Sequence, residues 1–131
     1  MTERRWLQLA IIVASIVPLV AGGAGMIIGE RFLGRSAGFH ADVDSHVRYL
    51  SGLLFAIGIA YLTCVPRIER MGARVALLSA IVVCGGIARA GGWLTVGPPE
   101  LPHRLALIME LGVVPLLWMW QRRVAASSAA P

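Results

Sequence analysis

The chain has 131 residues, 57% of them hydrophobic and 15% charged, and its mean hydropathy is +0.75. That composition is too apolar for a soluble domain of this length and points to a membrane protein. The net charge of +5 is carried by 12 arginines with no lysine, but they stand in short clusters between long apolar runs. They do not collect on one face with interleaved aromatics, which excludes nucleic acid as a partner.

Four apolar segments follow one another, at approximately 6–29, 48–65, 74–95 and 103–120. Each is near the roughly 20 residues that a helix needs to cross a hydrocarbon core of about 30 Å. An unpaired backbone N–H or C=O in lipid costs several kcal/mol, and the segments lack the alternation of barrel strands, so helices are expected. The predicted fold is all-α: a four-helix transmembrane bundle forming a single integral membrane domain over 1–131.

The first segment begins as "MTERRWLQLAIIVASIVPLVAGGAG", which also has the charged start, apolar middle and small-residue end of a secretory signal peptide. Its apolar run continues through "MIIG" to Glu30 and Arg31, longer than a signal peptide requires, so a retained span is expected. Gly25 and Gly29 stand four apart, as do Ala88 and Gly92 on the third segment. Such small-xxx-small faces predict close packing against a neighbour, in this chain or in a second copy. Pro18 and Pro115, inside the first and last segments, each free a carbonyl one turn earlier; tolerated helix prolines or local kinks are expected.

Between the first two segments lies "HADVDSH", residues 40–46. Read as an extended strand, it places His40, Asp42, Asp44 and His46 on one side, a set suited to a divalent metal. Read as the start of the second helix, it makes Asp44 an N-cap and Asp44 with Arg48 an i,i+4 ion pair in the favourable acid-first order. The second reading needs fewer coincidences, and no metal is expected. Cys64 and Cys84 fall at different depths of their spans, too far apart for a disulfide, and read as small buried residues. No phosphate loop, nucleophile elbow, CxxC or HExxH is present, so no cofactor is expected. The C-terminal "VAASSAAP" reads as a short disordered tail.

Arg89 and Glu110 are the sharpest signal. An ionisable residue inside a span costs at least about 2.5–3.5 kcal/mol on insertion scales and needs a partner. Arg89 lies about six residues below Thr95 and Glu110 about seven below His103, so both are ~9–10 Å deep. The short connection "VGPPELP" makes the third and fourth segments antiparallel neighbours, and an Arg89–Glu110 pair follows. It either locks two helices together or lines a pocket with Arg48, Tyr49 and Glu30, where the arginine would hold a carboxylate or phosphate bidentately. His103 and Arg104 read as an interfacial boundary.

Charge sets the expected topology. With the N-terminus in the cytoplasm, Arg4, Arg5, Arg67, Arg70, Arg74, Arg122 and Arg123 lie inside. Arg31, Arg35, Arg48 and Arg104 lie outside with Glu30, Asp42, Asp44 and Glu100. Trp6, Tyr61, Trp118 and Trp120 then fall at the inner interface, Tyr49 and Trp93 at the outer one. Both termini are then expected to face the cytoplasm, as in a multi-pass membrane protein.

The stretch "DSHVRYLSGLLFAIGIAYL", followed by "PRIER", "GGIARAGGWLTVGPP" and "MELGVVPLLWMWQRR", resembles a family of small bacterial four-helix membrane proteins known only as a domain of unknown function, 4345. The resemblance implies the four-span architecture, assigns no activity, and directs attention to Asp44, His46, Arg48, Tyr49, Arg89 and Glu110. The leading expectation is a non-catalytic membrane protein that binds a small anionic or lipid-like ligand, or a partner subunit, through these residues and Glu30. The alternatives are a small transporter, dimeric through its small-residue faces, and a membrane enzyme using Glu110 or His46 in acid–base chemistry.

Overall fold

The protein is described here by a computed structural model covering residues 2–34 and 40–129. Among these residues the backbone is helical nearly throughout, with no strand. Helix α1 spans Glu3–Ile28 and passes into a 3-10 turn at Gly29–Leu33. Helix α2 spans Ala41–Cys64 and is followed by a 3-10 segment, Val65–Arg70. Helix α3 spans Gly72–Val96; the last long helix is built from α4 (Leu101–Ile108), a π turn (Met109–Val113) and α5 (Val114–Ala129). Four helices are long and apolar enough to cross a membrane: Glu3–Leu33, Ala41–Arg70, Gly72–Val96 and Leu101–Ser128. The all-α, multi-pass reading therefore holds, with each helix longer than its apolar run.

Two expectations about helix ends are corrected. Helix α2 starts at Ala41, so His40, not Asp44, is the residue before the first turn, and the Asp44 N–H already bonds the His40 carbonyl at 2.9 Å. Asp42 and Asp44 fall in that first turn, where negative charge complements the helix dipole and supports the extra turn. The extended reading of "HADVDSH" fails with it, because alternate residues stand 200° apart around a helix and do not line one side. The C-terminal "VAASSAAP" is not a disordered tail as far as Ala129. Val124 is buried, and the Ser127 and Ser128 hydroxyls donate to the Arg123 and Val124 carbonyls at 3.1 and 2.9 Å. Arg35, placed outside by the charge pattern, and the last two residues lie outside the described residues.

The chain divides into two compact units, Leu9–Val65 and Met1–Gln8 with Pro66–Pro131. In the first, α1 and α2 approach most closely through glycines of α1. A methyl group built on Gly22 would lie 2.6 Å from the Phe55 backbone nitrogen, and one on Gly25 would collide with the Ser51 side chain. The small-residue face of the first span thus packs within the chain, where the missing Cβ atoms let backbones approach. Pro18 is accommodated inside a continuous α1 and lies near Gly58 of α2. Ile11, Cys64 and Tyr61 are buried here.

In the second unit, α3 packs along α5 and the π turn, over a core that includes Ile68, Val75 and Val124. The close approach on α3 comes at Gly86, whereas Gly92 of the expected Ala88/Gly92 face has open space around it within this chain. Cys84 is exposed, which corrects its assignment as a buried residue. At the end opposite the α3–α4 connection, Arg4 donates to Glu69 and to the Pro66 carbonyl at 2.8 and 2.9 Å. Glu3 accepts from Trp120 at 3.2 Å, and the fully buried Gln121 amide donates to the Ile68 carbonyl at 2.9 Å. Outside these contacts, large apolar residues are uncovered, Ile27 at 77% and Leu94 at 88% among them, as suits helices whose surroundings are lipid tails.

Candidate functional site

The polar residues singled out in the sequence fall into two sets, one in each unit. The first set caps the junction of α1 with α2. Helix α1 ends as Gly29 turns to a φ of +59°, leaving its last carbonyls without helical partners. Arg48 supplies them: its Nη1 donates to the Met26 and Ile27 carbonyls at 2.6 and 2.9 Å, a cation at a helix C-terminus. Its Nε donates to Asp44 Oδ2 at 2.7 Å, the i,i+4 pair expected from the sequence. Asp44 Oδ1 accepts the Glu30 N–H at 2.9 Å, and Glu30, itself buried, accepts the His40 N–H through Oε2 at 2.9 Å. The guanidinium and both carboxylates are thereby engaged in closing the connection. His46 and Tyr49 take no part in that closure. His46 lies about 200° around the helix from Asp44 and from Arg48, and both it and Tyr49 are exposed.

The second set lies on α3, α4 and the π turn. Arg89 and Glu110 form a two-pronged ion pair, with Nε on Oε2 and Nη2 on Oε1, both at 3.0 Å. This planar fork is the strongest arrangement open to a guanidinium and a carboxylate. Two local features place it. Gly86, one turn before Arg89, lets the π turn approach so closely that an added methyl would lie 2.9 Å from Glu110 Cβ. The π turn itself, closed by the Val114 N–H on the Met109 carbonyl, inserts a residue and sets the direction of Glu110. Pro115 follows directly; lacking an N–H, it cannot serve the Leu111 carbonyl, and the wider turn stands just before it.

The remaining edge of the guanidinium meets a residue that sequence reasoning left at the membrane boundary. Arg89 Nη1 lies 3.0 Å from His103 Nδ1. Arginine can only donate, so Nδ1 accepts and the neutral ring carries its proton on Nε2. The signal was present: His103 and Glu110 are seven residues apart, two turns along one face of a helix. Arg104 points elsewhere, donating to the Pro99 carbonyl at 2.7 Å and lying 5.8 Å over the Trp93 ring, which steadies the α3–α4 connection. Arg89 thus engages two side chains through all three of its nitrogens, and the cluster combines a cation, an anion and an imidazole.

The profile of the Domain of unknown function (DUF4345) family matches residues 6–121. The chain belongs to this family. The DUF4345 match covers both polar sets and all four long helices, and so agrees with the resemblance read from the quoted stretches. No curated protein and no solved structure is similar to the chain. The DUF4345 assignment therefore supplies neither a ligand nor a reaction.

Proposed function

We propose that this DUF4345 protein is a non-catalytic, multi-pass protein of a bacterial inner membrane, with both termini in the cytoplasm, that binds a small anionic or lipid-like ligand at Arg89. The topology is supported by the arginines, seven of which fall on the side of the termini and four on the other. The ligand reading is carried by one observation: Arg89 stands within an apolar helix in a fork with Glu110 and reaches His103 with its remaining edge. Joining two apolar helices does not require such a cluster; small residues such as Gly86 already do so. A charged group that departs from the apolar pattern is a functional-site candidate, and π turns recur at functional sites.

Native mass spectrometry of the detergent-purified protein tests this, wild type beside Arg89→Gln. A lipid or metabolite retained by the wild type and lost in a folded Arg89→Gln supports the site and names the ligand class. An adduct-free wild type that binds no added anion, or an adduct unaffected by the substitution, overturns it.

A further inference from the structure

The charges of the Arg89 cluster constrain what enters it and in what company. With His103 neutral, Arg89 and Glu110 cancel, and the set carries no net charge. An anion added to it leaves one uncompensated negative charge beside apolar helices, the arrangement that low-dielectric surroundings penalise most. An anion arriving with one proton leaves the set neutral.

The geometry distinguishes where that proton goes. Both Glu110 oxygens accept from the guanidinium, at 3.0 Å each, so protonating Glu110 would give up the fork. His103 Nδ1 is held by a single contact, to Arg89 Nη1 at 3.0 Å. A proton on Nδ1 turns that acceptor into a donor and leaves two N–H groups confronting each other. The complement of two converging donors is an acceptor oxygen between them. The charged groups around His103 are Arg89 on α3, Glu110 on the π turn, and Arg104 and Glu100 on or beside its own helix. Arg104 is engaged with the Pro99 carbonyl and Trp93.

We propose that the Arg89–His103 contact opens to hold an oxygen of a monoanionic carboxylate or phosphate between Arg89 Nη1 and a His103 imidazolium, so that one proton is taken up with each anion. This rests on the ligand reading above and specifies its chemistry. The proton moves from solvent to Nδ1, the anion oxygen accepts from Nη1–H and Nδ1–H, and Glu110 stays ionised on the other two guanidinium nitrogens. Imidazole is the side chain suited to this role because its ordinary titration falls between about pH 5 and 8.

The experiment is calorimetric titration of the full-length protein in phosphatidylcholine nanodiscs with sodium acetate, a monoanion throughout, at pH 6 and pH 8. In parallel, nanodiscs doped with phosphatidylglycerol are analysed by native mass spectrometry at the same two pH values. Acetate binding identifies a free anion as the ligand source, and selective retention of phosphatidylglycerol identifies a headgroup. In the arm that binds, wild type is expected to bind at least tenfold tighter at pH 6. His103→Gln, whose amide still accepts from Arg89, is expected to bind weakly at both pH values, at the wild-type pH 8 level or below. Glu110→Gln removes the competing negative charge, and at pH 8 it is expected to bind at least as tightly as wild type at pH 6. A pH dependence unchanged in His103→Gln, a wild type that binds equally at both pH values, or a folded Glu110→Gln no better than wild type at pH 8 overturns the proton coupling and leaves the Arg89 site standing. No binding by wild type in either arm overturns the site itself.

Discussion

Gly86 and Glu110 meet at a close approach between α3 and the last long helix: a methyl group on Gly86 would lie 2.9 Å from Glu110 Cβ and 2.8 Å from Leu111 Cδ2. Gly86→Ala should therefore force the helices apart by tenths of an ångström. A loss of about 1–3 kcal/mol is expected, the usual cost of overpacking. Gly85→Ala is the control, since nothing lies within 4 Å of it. Thermal unfolding in detergent should show a lowered Tm for Gly86→Ala and little change for Gly85→Ala; equal effects would contradict the packing described.

The Arg89–Glu110 fork predicts strong coupling between its members. Side-chain exposures of 34% and 17% leave it partly shielded, so Arg89→Ala or Glu110→Ala should each cost about 2–4 kcal/mol, largely by stranding the partner charge. The double substitution should cost less than the sum by at least about 1 kcal/mol. Equilibrium unfolding of the four proteins of this cycle measures the coupling directly, and additive losses would mean that the fork contributes nothing.

Two glycines with positive φ separate backbone strain from side-chain contact. Gly29 has φ +59° and faces the Asp44 carboxylate, whereas Gly34 has φ +66° and open space. Alanine at either position should cost about 1–2 kcal/mol for the left-handed conformation. Gly29→Ala should exceed Gly34→Ala, because its Cβ also displaces Asp44 from the Glu30 N–H. Comparing the two melting temperatures checks this.

Arg48 serves a carboxylate and two carbonyls at once, which a lysine ammonium cannot match in planar geometry. Arg48→Lys should retain part of the stability and Arg48→Ala the least, since unserved carbonyls at a helix end cost about 1–3 kcal/mol when water cannot reach them. Asp44→Asn, which keeps an acceptor for the Glu30 N–H, should be milder than Asp44→Ala. Protease susceptibility of the α1–α2 connection should follow the same order.

For topology, alkaline phosphatase fused after Pro131 should be inactive in bacterial cells, and a fluorescent protein fused there should fold and fluoresce. The reverse pattern would place the C-terminus outside and invert the proposed orientation.

Much of this molecule was legible in the order of its residues. Apolar runs near bilayer length determine four helices, because in lipid each backbone group needs a partner within its own helix. The i,i+4 spacing of Asp44 and Arg48 determined their ion pair, and a short connection made Arg89 and Glu110 partners. The missed helix ends have a common physical reason: apolar runs mark where lipid contact stops, while helices continue as long as charges and hydrogen bonds support another turn, as Asp42 and Asp44 do at the start of α2. Tertiary structure alone decided the rest. It drew Glu30 and Arg48 into capping one helix junction, inserted the π turn that aims Glu110, and made Gly86 a close contact of α3 within the chain. It also brought His103 to the last free edge of Arg89. Spacing along a chain specifies which residues share a helical face, but which neighbour meets that face depends on where two backbones approach without an intervening Cβ.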